Sequence, residues 1–199
     1  NAEFVFTNSK LPSLTLTKTS SDGSPLAPLA GVTFRLAKVE DSGHYLDRTT
    51  GPDGTITWEG LEPGVYSLVE TATVSDHILD AREHHIQLFP GRDSTIDLEN
   101  DRRPNLTVVK RDADSGAPIA DTVFLVEAAD GHSVDEIRTG PDGTATLENL
   151  LPGVYQISEK SVPSPYLMDA EPQLVTLYPN RYRTVYFENH KKPTLTVHK

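Results

Sequence analysis

The sequence predicts an all-β chain made of two tandem immunoglobulin-like β-sandwich domains, and three observations support this. The first is an internal repeat. Thr50-Gly51-Pro52-Asp53-Gly54-Thr55 returns as Thr139-Gly140-Pro141-Asp142-Gly143-Thr144, and Leu61-Glu62-Pro63-Gly64-Val65-Tyr66 returns as Leu150-Leu151-Pro152-Gly153-Val154-Tyr155, each about 90 residues later, the size of one sandwich domain. The second is punctuation: 15 Pro and 13 Gly break the chain into short stretches, which suits strands and tight turns rather than helices. The third is alternation, with apolar residues recurring at every second position in the stretches between turns.

Taken in chain order, residues 1–8 read as the last strand of a preceding unit. Residues 9–101 and 102–190 read as two complete domains, and residues 191–199 as the first strand of a following unit. The Asn-x3-Pro-x-Leu-Thr-x2-Lys signature that starts at Asn8, Asn100 and Asn189 marks the passage from each last strand to the next first strand. Asp101-Arg102-Arg103 is too short to act as a flexible tether, and the proline after it favours extended backbone, so neighbouring domains are expected to form a rod. Pro52-Asp53-Gly54 and Pro141-Asp142-Gly143 are turn chemistry, as are Pro63-Gly64 and Pro152-Gly153. Asp53 and Asp142 bring too few oxygen ligands for calcium, and no metal site is expected.

Composition excludes several functions. With 18 Lys+Arg against 29 Asp+Glu the net charge is −11, the wrong sign for a phosphate-backbone binder. No apolar run is long enough to cross a bilayer as a helix, and Asn1 to Phe6 lack the layout of a secretion signal, so the chain reads as a piece of a longer protein. Zero cysteines remove disulfides, thiolate metal sites and thiol nucleophiles together. No cofactor is expected.

Three polar residues interrupt the apolar faces. Leu14, Leu16 and Lys18 share one face of the first strand, matched by Leu106, Val108 and Lys110 in the second unit. Tyr66, Leu68 and Glu70 are matched by Tyr155, Ile157 and Glu159, while Ile96, Leu98 and Asn100 are matched by Val185, Phe187 and Asn189. Each unit therefore directs one Lys, one Glu and one Asn toward its core, where an unpaired ion costs several kcal/mol. They form either a rim salt bridge capped by Asn or a buried cluster. In a buried cluster, desolvation favours a neutral amine beside a neutral carboxylic acid. The amine can then attack the Asn carboxamide while Glu hydrogen-bonds its carbonyl and carries the proton to departing ammonia. Fixed geometry, with effective molarities of roughly 10⁵ to 10⁸ M, makes this slow exchange feasible as a single turnover.

These residues, together with Leu106-Thr107-Val108-Val109-Lys110-Arg111-Asp112, Gly51-Pro52-Asp53-Gly54, Pro63-Gly64-Val65-Tyr66 and Val185-Tyr186-Phe187-Glu188-Asn189, make the chain resemble the collagen-adhesin B-type (CnaB) domains of Gram-positive surface proteins and pilins. The resemblance covers both units and both flanking strands. It implies a transthyretin-like (prealbumin-like) sandwich and self-generated isopeptide bonds, Lys18 to Asn100 with Glu70 as catalyst and Lys110 to Asn189 with Glu159. It also implies a stalk exposed on a Gram-positive cell wall, with adjacent repeats as partners and any host ligand bound through other domains. Asn8 and Lys199 would pair with residues of neighbouring repeats. The segments after the two glutamates, Ala72 to His77 and Pro163 to Tyr166, depart from the family pattern.

Two rival readings compete with this one. Enzymatic turnover with paired carboxylates fails because Glu70 and Glu159 belong to different units. A ligand-binding adhesin module that recognises a host protein or glycan through its loops is the stronger alternative, with the stretch Thr71 to Glu83 the most divergent between repeats. Trp58 corresponds to Leu147 and reads as core. Adjacent His84 and His85 point to opposite faces of a strand, and Leu177-Tyr178-Pro179-Asn180 reads as a hairpin turn.

Overall fold

The computed structural model describes residues 9–23, 25–129, 131, 133–169 and 171–199. The strand expected over residues 1–8, with Asn8, lies outside them. The chain divides into two compact units, one ending at Arg102 and the other beginning at Arg103; every regular element among the described residues is a strand.

In the first unit β1 (Leu14–Ser20) is flanked by β5 (Thr55–Trp58), antiparallel, and β8 (Ser94–Asn100), parallel, with the short β2 (Ala27–Pro28) pairing near its end. The facing sheet runs β4 (Asp41–Thr49), β3 (Thr33–Lys38), β6 (Gly64–Ala72), β7 (Glu83–Leu88). The second unit repeats the plan. β9 (Asn105–Asp112) lies between antiparallel β12 (Thr144–Leu147) and parallel β15 (Tyr182–Asn189), opposite a sheet ordered β11 (Ser133–Arg138), β10 (Val123–Ala128), β13 (Gly153–Ser161), β14 (Gln173–Leu177).

The period-two reading accounts for the packing. In β1 and β9 every second residue is buried, and the β-branched threonines opposite them pair across strands, Thr15 with Thr57 at 3.1 Å and Thr107 with Thr146 at 2.9 Å between hydroxyl oxygens. Trp58 is fully buried beside Leu14, Phe34 and Leu68, as its correspondence with Leu147 predicts. The stripes run one step further than the sequence reading carried them, ending on buried Ser20 and Asp112.

The repeated turns do more than reverse the chain. The Asp53 carboxylate accepts a hydrogen bond from the Thr55 amide at 3.0 Å, and Asp142 does the same for Thr144. Gly54 then has φ near 74°, and a Cβ there would lie 2.4 Å from the Lys18 carbonyl oxygen; Gly143 stands in the same relation to Lys110 at 2.5 Å. The Lys18 and Lys110 amides donate to the carbonyls of these glycines at 2.8 and 2.7 Å. Only glycine allows this approach, so the turn clamps the backbone of the core lysine. The Pro-Gly-Val-Tyr repeat has its own reason: the Tyr66 hydroxyl donates to the Glu62 carbonyl at 3.0 Å and Tyr155 to that of Leu151 at 2.7 Å, which fixes the turn before the strand.

Residues 191–199, read as the first strand of a following repeat, carry no strand within this chain. Lys191 makes one isolated bridge with Tyr166, and Leu195 and Val197 beyond it are exposed. The Lys192 amide extends this contact by donating to the Pro165 carbonyl at 2.8 Å; strand geometry is maintained by hydrogen bonds to a neighbour, and among the described residues no strand pairs with 193–199.

Candidate functional site

The paired first and last strands of each unit bring Lys and Asn together, and the facing sheet supplies Glu. Lys18 sits on β1 and Asn100 at the end of β8, where the parallel register sets Ser20 opposite Asn100. Glu70, on β6, lies opposite Phe34 of β3. All three are buried, Lys18 completely. The Lys18 Nζ donates to Asn100 Oδ1 at 2.7 Å and lies 3.0 Å from Glu70 Oε2, while Asn100 Nδ2 donates to Glu70 Oε1 at 2.6 Å.

The second unit repeats the triangle. Lys110 Nζ donates to Asn189 Oδ1 and stands 2.5 Å from Glu159 Oε1, and Asn189 Nδ2 donates to Glu159 Oε2 at 3.0 Å. Each lysine nitrogen also lies near a ring, Phe34 at 5.6 Å and Phe187 at 5.9 Å from the centroid. Of the two architectures left open by patterning, a rim salt bridge and a buried cluster, the structure has the buried cluster.

One detail differs from expectation. Glu was expected to meet the Asn carbonyl; instead its two oxygens face the lysine nitrogen and the carboxamide nitrogen. This geometry suits a proton shuttle between nucleophile and leaving group better than an oxyanion clamp, because a single carboxyl group touches both atoms that exchange the proton. Burial pushes the Lys110 amine below its ordinary pKa, with Glu159 opposing the shift. The neutral, nucleophilic form is thereby favoured.

The divergent segments after the two glutamates hold the triangles differently. In the first unit Thr73 Oγ1 accepts a second hydrogen bond from Asn100 Nδ2 at 2.9 Å. In the second, the Asp169 amide donates to Glu159 Oε2 at 2.8 Å.

Sequence reasoning missed a latch beside each triangle. In the first unit Ser20 Oγ lies 2.8 Å from His77 Nε2, His77 Nδ1 lies 2.8 Å from Asp76, and Arg102 reaches Asp22 at 2.6 Å and Asp76 at 3.3 Å. Ser20 and His77 are buried, the Ser20 hydroxyl also donates to Asp22, and this Ser-His-Asp chain ties the end of β1 to the segment after β6. In the second unit Asp112 accepts from Tyr166 Oη at 2.9 Å, from Lys191 Nζ at 2.9 Å and from the amides of Asp114 and Ser115. The signal was present: Ser20 and Asp112 continue the core-facing stripe of Lys18 and Lys110, and His77 and Tyr166 occupy equivalent repeat positions. Lys199 lies exposed at the chain end.

Lys191 and these amide donors hold the Asp112 carboxyl well below the usual carboxylate range. A depressed folded-state pKa contributes stability that is present above the unfolded value of about 3.9 and is lost as pH falls toward the folded value. Heat unfolding at pH 7 and at about pH 3 should therefore show the second unit losing stability in acid. Asp112→Asn should be less stable at pH 7 and should lose less on acidification. An equal acid loss in the variant would assign the effect to other groups.

A family model described as the SpaA prealbumin-like fold domain matches residues 12–102 and again residues 104–191. The chain belongs to this family. The SpaA-type match thus covers both units, each with its own buried triangle. The collagen adhesin of Staphylococcus aureus is 33% identical over 94 residues, which is 44% of this chain and 7% of that protein. Among solved structures, the shaft pilin SpaA from Lactobacillus rhamnosus GG has a TM-score of 0.51 at 16% identity, covering 93% of this chain and 99% of the pilin. The Bacillus anthracis TIE protein has a TM-score of 0.47 at 21% identity, covering 92% of this chain and 34% of its own. At 16% identity the likeness to the shaft pilin speaks to the fold alone.

Proposed function

We propose that this chain is a stalk segment of a Gram-positive surface adhesin or pilus-like protein, and that each unit stiffens itself with one isopeptide bond. Domains 9–101 and 102–190 are the repeating elements. Lys18 joins Asn100 with Glu70 as the acid-base group, and Lys110 joins Asn189 with Glu159. The observation that carries this reading is the buried triangle, formed twice, in which one carboxyl group touches both the amine and the carboxamide nitrogen. The neutral lysine amine attacks Cγ of Asn, forming one C–N bond. The proton shed by the amine passes through Glu to the carboxamide nitrogen, and the old C–N bond breaks to release ammonia. Atoms balance with no external oxidant or cofactor.

Membership of the SpaA-type family supports the stalk reading, as does the likeness to a protein named as an adhesin; a surface location is inferred from the same relatives. Neighbouring repeats would be the natural partners, with Asn8 and Lys199 supplying bonds to them, and any host ligand would be met through other domains. The test is proteolytic mapping of the denatured protein. Branched fragments joining the Lys18 peptide to the Asn100 peptide, and Lys110 to Asn189, are expected. Linear fragments carrying all four residues unmodified would overturn the assignment.

A further inference from the structure

The second unit carries on its open edge a surface that the first unit has only in part. β14 hydrogen-bonds to β13 and β15 to β9, so the hairpin joining β14 to β15 runs from one sheet to the other. A groove of about 840 Å³ follows it, lined by Leu174, Thr176, Tyr178, Arg181, Tyr182 and Arg183. Leu174, Tyr178 and Tyr182 are 71%, 62% and 73% exposed, an unusual concentration of bare apolar and aromatic surface. Among the described residues no carboxylate is paired with either arginine. In the first unit the equivalent hairpin carries Phe89, Arg92, Asp93 and Ser94, and Asp93 is engaged by Lys10 at 3.1 Å and the Ser13 amide at 3.0 Å. Phe89 and Arg92 stand where Tyr178 and Arg181 do, whereas Asp93 and Ser94 replace Tyr182 and Arg183, so the fold does not require the second tyrosine and second arginine at this edge.

We propose that this groove binds an anionic oligosaccharide, a chain of pyranose rings bearing carboxylate or sulfate groups. Tyrosine rings present flat, rigid surfaces against which the apolar face of a sugar stacks, with a hydroxyl left for its polar rim. Planar guanidinium groups match carboxylate and sulfate oxygens in pairs. Charge selects among anions: the chain carries −11 overall, so a dense polyphosphate meets repulsion from most of the surface. A ligand whose charges are spread along its rings can place them at Arg181 and Arg183. None of the groove residues belongs to the buried triangles, so binding is independent of crosslinking.

The experiment is calorimetric titration of the whole chain with four probes: an oligogalacturonate, a chondroitin sulfate oligosaccharide, neutral maltohexaose and a hexaglutamate peptide. One or both anionic sugars should bind, weakening with added salt, and which of them binds identifies the recognised group as carboxylate or sulfate. The double variant Arg181→Gln/Arg183→Gln should weaken that binding by roughly 10-fold or more, and Tyr178→Ala/Tyr182→Ala likewise, while Arg92→Gln leaves it unchanged. Absence of binding by both anionic sugars at millimolar concentration would overturn the proposal. So would equal binding of maltohexaose, equal or tighter binding of hexaglutamate, or insensitivity to both double variants.

Discussion

Stretched from its two ends in a force measurement, the chain is expected to lengthen only through its flanks, while the double variant Lys18→Ala/Lys110→Ala lengthens in two large steps. Tension enters the first unit along β1, meets the Lys18 side chain and, in the crosslinked form, leaves through Asn100 without entering the 82-residue interval between them. At about 3.4 Å per extended residue that segment holds roughly 280 Å of chain. The 79-residue interval between Lys110 and Asn189 holds roughly 270 Å by the same arithmetic. Without the bonds, the parallel β1–β8 and β9–β15 pairs resist only through hydrogen bonds between strands. Steps of this size in the wild-type chain would show that load is not carried by these side chains.

Heat should separate the crosslinked and open forms almost as clearly. Closing a loop of about 80 residues removes denatured-state entropy equivalent to about 4.5 kcal/mol per bond, by the relation used for disulfides. For a domain of this size that corresponds to a Tm difference on the order of 20–30 °C. Glu70→Gln and Glu159→Gln keep the side-chain volume but cannot shuttle a proton in the same way. Each should leave its own unit folded, uncrosslinked and lower in Tm by about this amount, with the other unit unaffected. A variant that retains its bond yet loses the same Tm would place the stabilisation in the carboxylate contacts rather than in the crosslink.

The fold was legible because its determinants are local. Alternation in Leu14-Thr15-Leu16-Thr17 and the repeated Pro-Asp-Gly and Pro-Gly turns state which residues face inward and where the chain reverses. The approach of Lys18, Glu70 and Asn100 was also legible, since three ionic or polar residues on apolar faces, repeated in a second unit, have few ways to be satisfied except by one another. The orientation of the Glu carboxyl was not, because it depends on side-chain torsions that strand period does not constrain. The clamp of Gly54 on the Lys18 carbonyl was hidden for a different reason: a turn motif specifies backbone dihedrals but not which strand the turn packs against.

The latches escaped because their members come from distant segments and differ chemically between the units. Ser20 with His77 and Arg102 in one corresponds to Asp112 with Tyr166 and Lys191 in the other, a correspondence of place and not of residue type. The alternation of Leu195 and Val197 encodes a strand face for a following repeat, and a face forms a ladder only against a neighbouring strand.

The intact mass of the denatured, reductant-treated chain reports whether the two bonds are present. A mass two ammonia molecules below the value calculated from the sequence is expected, one for each Lys-Asn bond. The full calculated mass would mean that neither bond forms and would leave the two buried triangles as polar clusters held by hydrogen bonds alone.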